Sequence, residues 1–188
     1  MRRIDLEHLI RACSEITQEY ELVVIGSQAI LGTHPNPPAE LTVSAEADIY
    51  PLNNPALSDL IDGAIGEGSV FHETNGYYAQ GVDIHTAKLP HDWRDRVVRV
   101  PEASFATGVG YCIGVLDLFL SKAAAGRTKD MEFCTALLVH QYLHPSEALA
   151  LVKNMPPDVN QRALRALRAR IRRWVAIARD AGHVIPEG

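Results

Sequence analysis

Apolar positions recur along the chain in two rhythms. Ile4, Leu6, Leu9, Ile10, Cys13 and Ile16 are spaced helically, which predicts a helix over residues 4–19 with Asp5 as its N-cap. Leu22-Val23-Val24-Ile25 is short and continuously apolar, the pattern of a buried strand. Gly26-Ser27 follows directly and opens a short apolar helix, Gln28 to Leu31. The prolines of Thr33 to Glu40 exclude a helix interior and predict a loop. Leu41 to Tyr50 reads as a second strand ended by Pro51, and a turn then leads into a helix from Ala56 to Ile65. Gly66 to Gly76 is polar and Gly-rich, a loop by composition. Tyr77 to His85 reads as a third strand, in which Gly81 signals a bulge or a close backbone approach, and Arg94 to Val100 as a fourth.

From Gly114 onward the rhythm is helical. Helices are predicted over 116–125, 129–141, 145–153 and 158–181. Asp117 stands near the start of the first, where a negative charge is favoured, and Gly126 is its C-cap. The fold class is α+β, divided into an α/β core over residues 1–112 and a helical part over 113–188 packed on that core.

Composition narrows the classes of function. The chain has 188 residues, is 47% hydrophobic and carries a formal charge of -5, so nucleic acid could be held only by a local basic patch. Cys13, Cys112 and Cys134 have no metal-site or disulfide spacing and read as small buried residues in a reducing compartment. The N-terminus breaks its apolar run with Asp5, Glu7 and His8, unlike a signal peptide, and no apolar stretch approaches the ~20 residues of a membrane span. A cytoplasmic protein without membrane contact is the expectation.

The candidate chemistry begins with Glu46 and Asp48. Two residues apart on a strand, their carboxylates share a face, and such a pair repels itself unless a cation sits between. Magnesium suits them, since it takes one or two carboxylates and keeps several waters. Gly26 lets backbone or ligand approach, and Ser27 adds a hydroxyl at a helix start, a setting for phosphate. A plain strand-to-helix turn with a Ser cap accounts for the same two residues. The GK[ST] ending of a Walker loop is absent. Asp83, on the third strand, could be a third metal-binding or basic carboxylate, or a strand-end residue facing water. His72 and Glu73 could line a pocket or simply be exposed. Lys122, Arg127 and Lys129 could stabilise charge on a transferring phosphoryl group. The last helix carries Arg162, Arg165, Arg168, Arg170, Arg172, Arg173 and Arg179 against Asp180 alone, with Leu164, Leu167, Ile171, Trp174 and Val175 as its packing stripe. Its basic face is either solvated and paired within the chain or turned to an anionic partner.

The segments IGSQAI, SAEADIYP and SKAAAGRTKD, spread over residues 20 to 135, together resemble the minimal nucleotidyltransferase fold. More narrowly they resemble nucleotidyltransferase toxins of AbiE type, the MenT-like group among them, and related families of unknown function. The resemblance implies a nucleotidyltransferase-like mixed sheet flanked by helices, with a C-terminal helical part. It implies transfer of a nucleotide from a nucleoside triphosphate to an acceptor, tRNA in the toxins, with Mg2+ or Mn2+ as cofactor and a separate antitoxin protein as partner. Gly26, Ser27, Arg127 and Lys129 then bind nucleotide, Glu46 and Asp48 hold metal, and Glu46, Asp48, Asp83, Lys122 and Asp130 are the catalytic set. The Arg-rich last helix fits an RNA acceptor. The family pattern usually has Asp where this chain has Glu46, one methylene longer. That departure grounds the alternative, a catalytically inactive nucleotide- or partner-binding module of the same fold.

Overall fold

The apolar run at residues 22–25 becomes the central strand, β1 (Glu21–Ile25), and all four of its apolar side chains are buried. On one side β1 pairs antiparallel with β2 (Glu46–Pro51), and on the other it pairs parallel with β5 (Val109–Cys112). β3 (Tyr78–Gly81) adds parallel to β2, and β4 (Val98–Val100) adds antiparallel to β5. The sheet is mixed, in the order β3-β2-β1-β5-β4. The computed structural model describes residues 1–101 and 107–186. The α+β class, with a mixed sheet, flanking helices and a helical C-terminal part, is as expected. By contacts the chain divides into two compact units, one of Met1–Ala87 with Arg96–Gly114, the other of Lys88–Asp95 with Val115–Gly188.

In the first unit α1 (Arg3–Thr17) lies against β1, β2 and β5. Leu6, Leu9, Ile10 and Cys13 are fully buried. Each of the larger ones contributes about 1.5–3 kcal/mol by leaving water. Asp5 serves the helix start differently from expectation. Arg2 occupies the cap, and Asp5 reaches back to accept its backbone N–H at 2.8 Å and its guanidinium at 2.8 and 3.1 Å. α3 (Ser58–Ile65) packs beside β3, where a Cβ on Gly81 would fall 1.9 Å from the Ser58 carbonyl oxygen. That is the close backbone approach suggested by a glycine within a strand.

Some boundaries move. β2 begins at Glu46 rather than Leu41, because residues 39–41 close the proline loop as a 3-10 turn. β3 stops at Gly81 rather than His85, and residues 93–96 form a 3-10 turn that leaves β4 only three residues. Two elements carry no rhythm of their own. α4 (Val70–Asn75) forms inside the expected loop because the Ser69 hydroxyl caps it, accepting from the His72 N–H at 3.1 Å. β5 reads Val-Gly-Tyr-Cys, and pairing on both edges makes it a strand.

The second unit is helical: α5 (Val115–Ala125), α6 (Thr128–Val139), α7 (Pro145–Leu151) and α8 (Gln161–Asp180). α8 contacts the other three through Leu167, Ile171, Trp174, Val175 and Ala178, all buried, while Leu164 stays half-exposed. It starts at Gln161 rather than Asp158 because Asn160 caps it, its Oδ1 accepting from the Ala163 N–H at 3.0 Å. The three cysteines are free and buried, and burial pushes their thiols up, that of Cys112 to about 12. Among the described residues no helix is long and apolar enough to cross a membrane.

Candidate active site

β1 ends at Ile25, whose partner across the antiparallel pair is Asp48. Gly26, the next residue, has φ +68° and ψ -169°, a conformation essentially reserved for glycine. A Cβ there would lie 1.8 Å from Asp48 Oδ2 and 2.9 Å from Asp48 Cγ. The space left by the missing side chain is filled by the Asp48 carboxylate. Glu46 and Asp48 are half-exposed while Ala47 and Ile49 are fully buried, so the strand turns both carboxylates to one face.

Glu46 is held from the neighbouring strand. In the parallel register of β2 and β3 it stands beside Tyr78, whose hydroxyl donates to Glu46 Oε2 at 3.2 Å. Burial, followed by the charges of Glu46 and Glu67, the Glu46 hydrogen bond and the charge of Asp48, pushes the Tyr78 hydroxyl up to about 12. It therefore remains a protonated donor at neutral pH. The approach to β2 is fixed from the β1 side. Gln28 Nε2 donates to the Ser44 carbonyl at 3.2 Å, and Ser44 Oγ accepts the Glu46 N–H at 3.1 Å. Gln28 is fully buried and its Oε1 has no partner among the described residues. An orphan acceptor of that kind costs about 1–3 kcal/mol.

The expected helix after Ser27 is a 3-10 turn, Ser27–Ala29, followed by the single turn α2 (Ile30–Thr33). Gly26 is the cap and makes no side-chain hydrogen bond, so the plain turn with a Ser cap is not what forms. Ser27 is half-exposed, and its hydroxyl has no hydrogen bond to the described residues. A four-residue helix carries little dipole, so an anion here would meet the turn and the hydroxyl rather than a long helix.

Asp83 is not on a strand. It lies exposed beyond the end of β3, its Oδ1 accepting the His85 N–H at 2.7 Å. Among the described residues no three His, Cys, Asp or Glu side chains gather to hold a metal ion, so Asp83 does not complete a cluster with Glu46 and Asp48. His72 is half-buried with its ring 4.6 Å from that of Tyr78, whereas Glu73 is exposed.

In the second unit Lys122, Arg127 and Asp130 meet at the turn between α5 and α6. Asp130 is fully buried and accepts the Arg127 N–H at 3.1 Å and its guanidinium at 2.7 and 3.2 Å. Lys122 Nζ lies 3.6 Å from Asp130 Oδ1 and 4.5 Å above the Phe133 ring centroid. Burial alone would raise the Asp130 carboxyl, but the Arg127 hydrogen bonds and the charges of Lys122 and Arg127 hold it below the usual carboxylate value. Lys129 is exposed and does not join this group. The motif RTKD thus folds as the same device as RRID at the start of α1, an arginine at the cap and an aspartate three residues on.

Tyr78 and Gln28 are the members of this neighbourhood that motif reading passes over. The signal for Gln28 is a lone amide within an apolar run. For Tyr78 only the strand register supplies one.

A family model described as "Nucleotidyltransferase of unknown function (DUF6036)" matches residues 2–174. No curated protein and no solved structure matches the chain.

Proposed function

The chain belongs to the DUF6036 family of nucleotidyltransferases of unknown function, and from that premise we propose that it moves a nucleotide from a nucleoside triphosphate to an RNA acceptor, tRNA in particular. The observation that carries the reading is the seating of the Asp48 carboxylate in the space of the missing Gly26 side chain. It joins the turn suited to phosphate and the strand suited to a cation in one place.

In the reaction an acceptor hydroxyl oxygen forms a bond to the α-phosphorus and its proton passes to solvent, the bond from that phosphorus to the oxygen bridging to the β-phosphate breaks, and pyrophosphate leaves. Little covalent help is needed, only positioning and charge stabilisation. Ser27 and the backbone of the Gly26 turn orient the triphosphate. Glu46 and Asp48 suit Mg2+ or Mn2+, since two carboxylates on one face match an ion that shares its remaining positions with phosphate and water. Such an ion, when bound, neutralises developing phosphate charge. Tyr78 fixes one oxygen of Glu46 and leaves the other available. In the second unit Asp130 holds Lys122 and Arg127 together at the turn between α5 and α6. Asp83 has no part in this arrangement. The Arg-rich α8 faces the acceptor, and the protein acts as the toxin of a toxin–antitoxin pair, restrained by an antitoxin protein.

The test is incubation of the purified protein with each labelled triphosphate, Mg2+ and total RNA. Label enters RNA with the wild type. With Asp48→Ala it falls at least a hundredfold while the thermal unfolding curve stays cooperative. Undiminished labelling by that variant overturns the role of Asp48. For the toxin role, expression of the wild type slows growth and expression of Asp48→Ala does not. The longer Glu46, already engaged by Tyr78, favours a second reading, an inactive nucleotide- or partner-binding module. It is selected by stabilisation with nucleotide and Mg2+ in the absence of any label transfer.

A further inference from the structure

α8 carries seven arginines and one acid in a chain whose formal charge is -5. Arg162, Arg165, Arg172 and Arg173 are exposed and make no hydrogen bond or ion pair with the described residues. Pairing within the chain therefore does not account for this face.

Part of the face is concave. A cavity of about 550 Å³ lies between the α5–α6 turn and α8. Ala166 and Ala169 leave the room, Arg127, Arg170 and Arg173 line it, and among the described residues no carboxylate lines it. Arg170 is fixed in place. Its Nη1 donates to the carbonyls of Ala123 and Ala124, and its guanidinium fills the space beside Gly126, where a Cβ would sit 2.4 Å from Arg170 Cζ. Nε and Nη2 of Arg170 have no acceptor among the described residues.

Arg127 is already neutralised by Asp130, but Arg170 and Arg173 bring two further guanidinium groups to the concavity that repel each other unless an anion enters. Their planar forks match phosphate oxygens bidentately. The basic face also extends beyond the cavity. From Arg162 to Arg173 it runs about 16 Å along the helix. That length suits a chain of phosphates better than a single group.

We propose that this cavity anchors one phosphate of a nucleic-acid backbone, with the exposed Arg162 and Arg165 meeting the neighbouring phosphates. The proposal deepens the acceptor part of the function above and rests on it for the acceptor being RNA. The phosphodiester chemistry is common to RNA and DNA.

The test is fluorescence anisotropy on the full chain over a salt series, with a labelled single-stranded RNA, the DNA of the same sequence and a DNA duplex. The wild type binds, with log affinity falling linearly in log salt. Arg173→Ala weakens single-strand binding about three- to tenfold and lowers the salt slope by about 0.7, the share of one phosphate contact. Arg172→Ala, outside the cavity, changes affinity less than twofold. Arg173 is exposed, and an unchanged melting temperature of the variant excludes misfolding as the cause. Binding to any arm with this Arg173 dependence supports the site, and the arm bound most tightly identifies the source of the phosphates. No binding to any arm, or equal losses from Arg172→Ala and Arg173→Ala, overturns it. Arg173-dependent binding without stabilisation by triphosphate and Mg2+ removes the transfer reading and keeps this site. Label transfer that is indifferent to Arg173→Ala, with unaltered RNA affinity, does the reverse.

Discussion

At Gly26 a methyl group has no room, because Asp48 Oδ2 stands 1.8 Å from where it would go. Backbone strain at that φ and ψ and displacement of the carboxylate add up, so Gly26→Ala costs about 2–4 kcal/mol of stability in urea unfolding. Label transfer falls with it. An alanine variant of wild-type stability would mean that this turn is not constrained as described. Asp130 is governed by charge rather than space. Its carboxyl is held below the usual value, so its stabilisation is complete above the unfolded-state value of 3.8 and is lost as pH falls through that value toward the folded one. Asp130→Asn removes the buried carboxylate facing buried Lys122, which costs about 3–5 kcal/mol at neutral pH. The variant's stability is also flatter than the wild type's below about pH 4, where the wild type gives up this contribution. Parallel acid limbs in denaturation curves of the two proteins would count against the coupling.

Among the elements, β1 with its following turn and β2 form the part on which the candidate site depends. Alternation along β2 makes the shared face of Glu46 and Asp48 legible in the sequence, because side-chain direction in a strand has period two. What approaches Gly26 is not legible. The residue marks a close approach, and the antiparallel register of Ile25 with Asp48 decides that the carboxylate makes it. β5 is the opposite case, with no local signal and a central position. Its Gly110 lies under α1, where a Cβ would come 2.6 Å from Ile10 Cδ1. Gly110→Val therefore lifts α1 from the sheet and destabilises by about 1–3 kcal/mol. Urea midpoints of the variant and wild type check this, and an unchanged midpoint would show that α1 yields freely. α4 was hidden for another reason. Its six residues, two apolar and four polar, are too few to show a helical rhythm, and one Ser69 hydrogen bond stabilises the turn.

For the molecule as a whole, a ligand that binds only the folded protein raises its stability by mass action, about 2.7 kcal/mol at a hundredfold excess over Kd. A triphosphate with Mg2+ therefore raises the melting temperature of the wild type, and Asp48→Ala abolishes most of that shift. No shift with any triphosphate would remove both the enzyme and the nucleotide-binding module. The sequence by itself determined the α+β class, the strand that becomes central, the facing carboxylates, the packing stripe of α8 and the basic residues beside it. Each of these is written in local periodicity, or in residue types a few positions apart. Only the tertiary structure decided that Asp48 fills the place of a Gly26 side chain, that Tyr78 holds Glu46, and that Asp83 lies outside the group. It also decided that three arginines from two segments surround one cavity. Those relations depend on strand register and helix packing between residues far apart in the chain, where local rhythm carries no information.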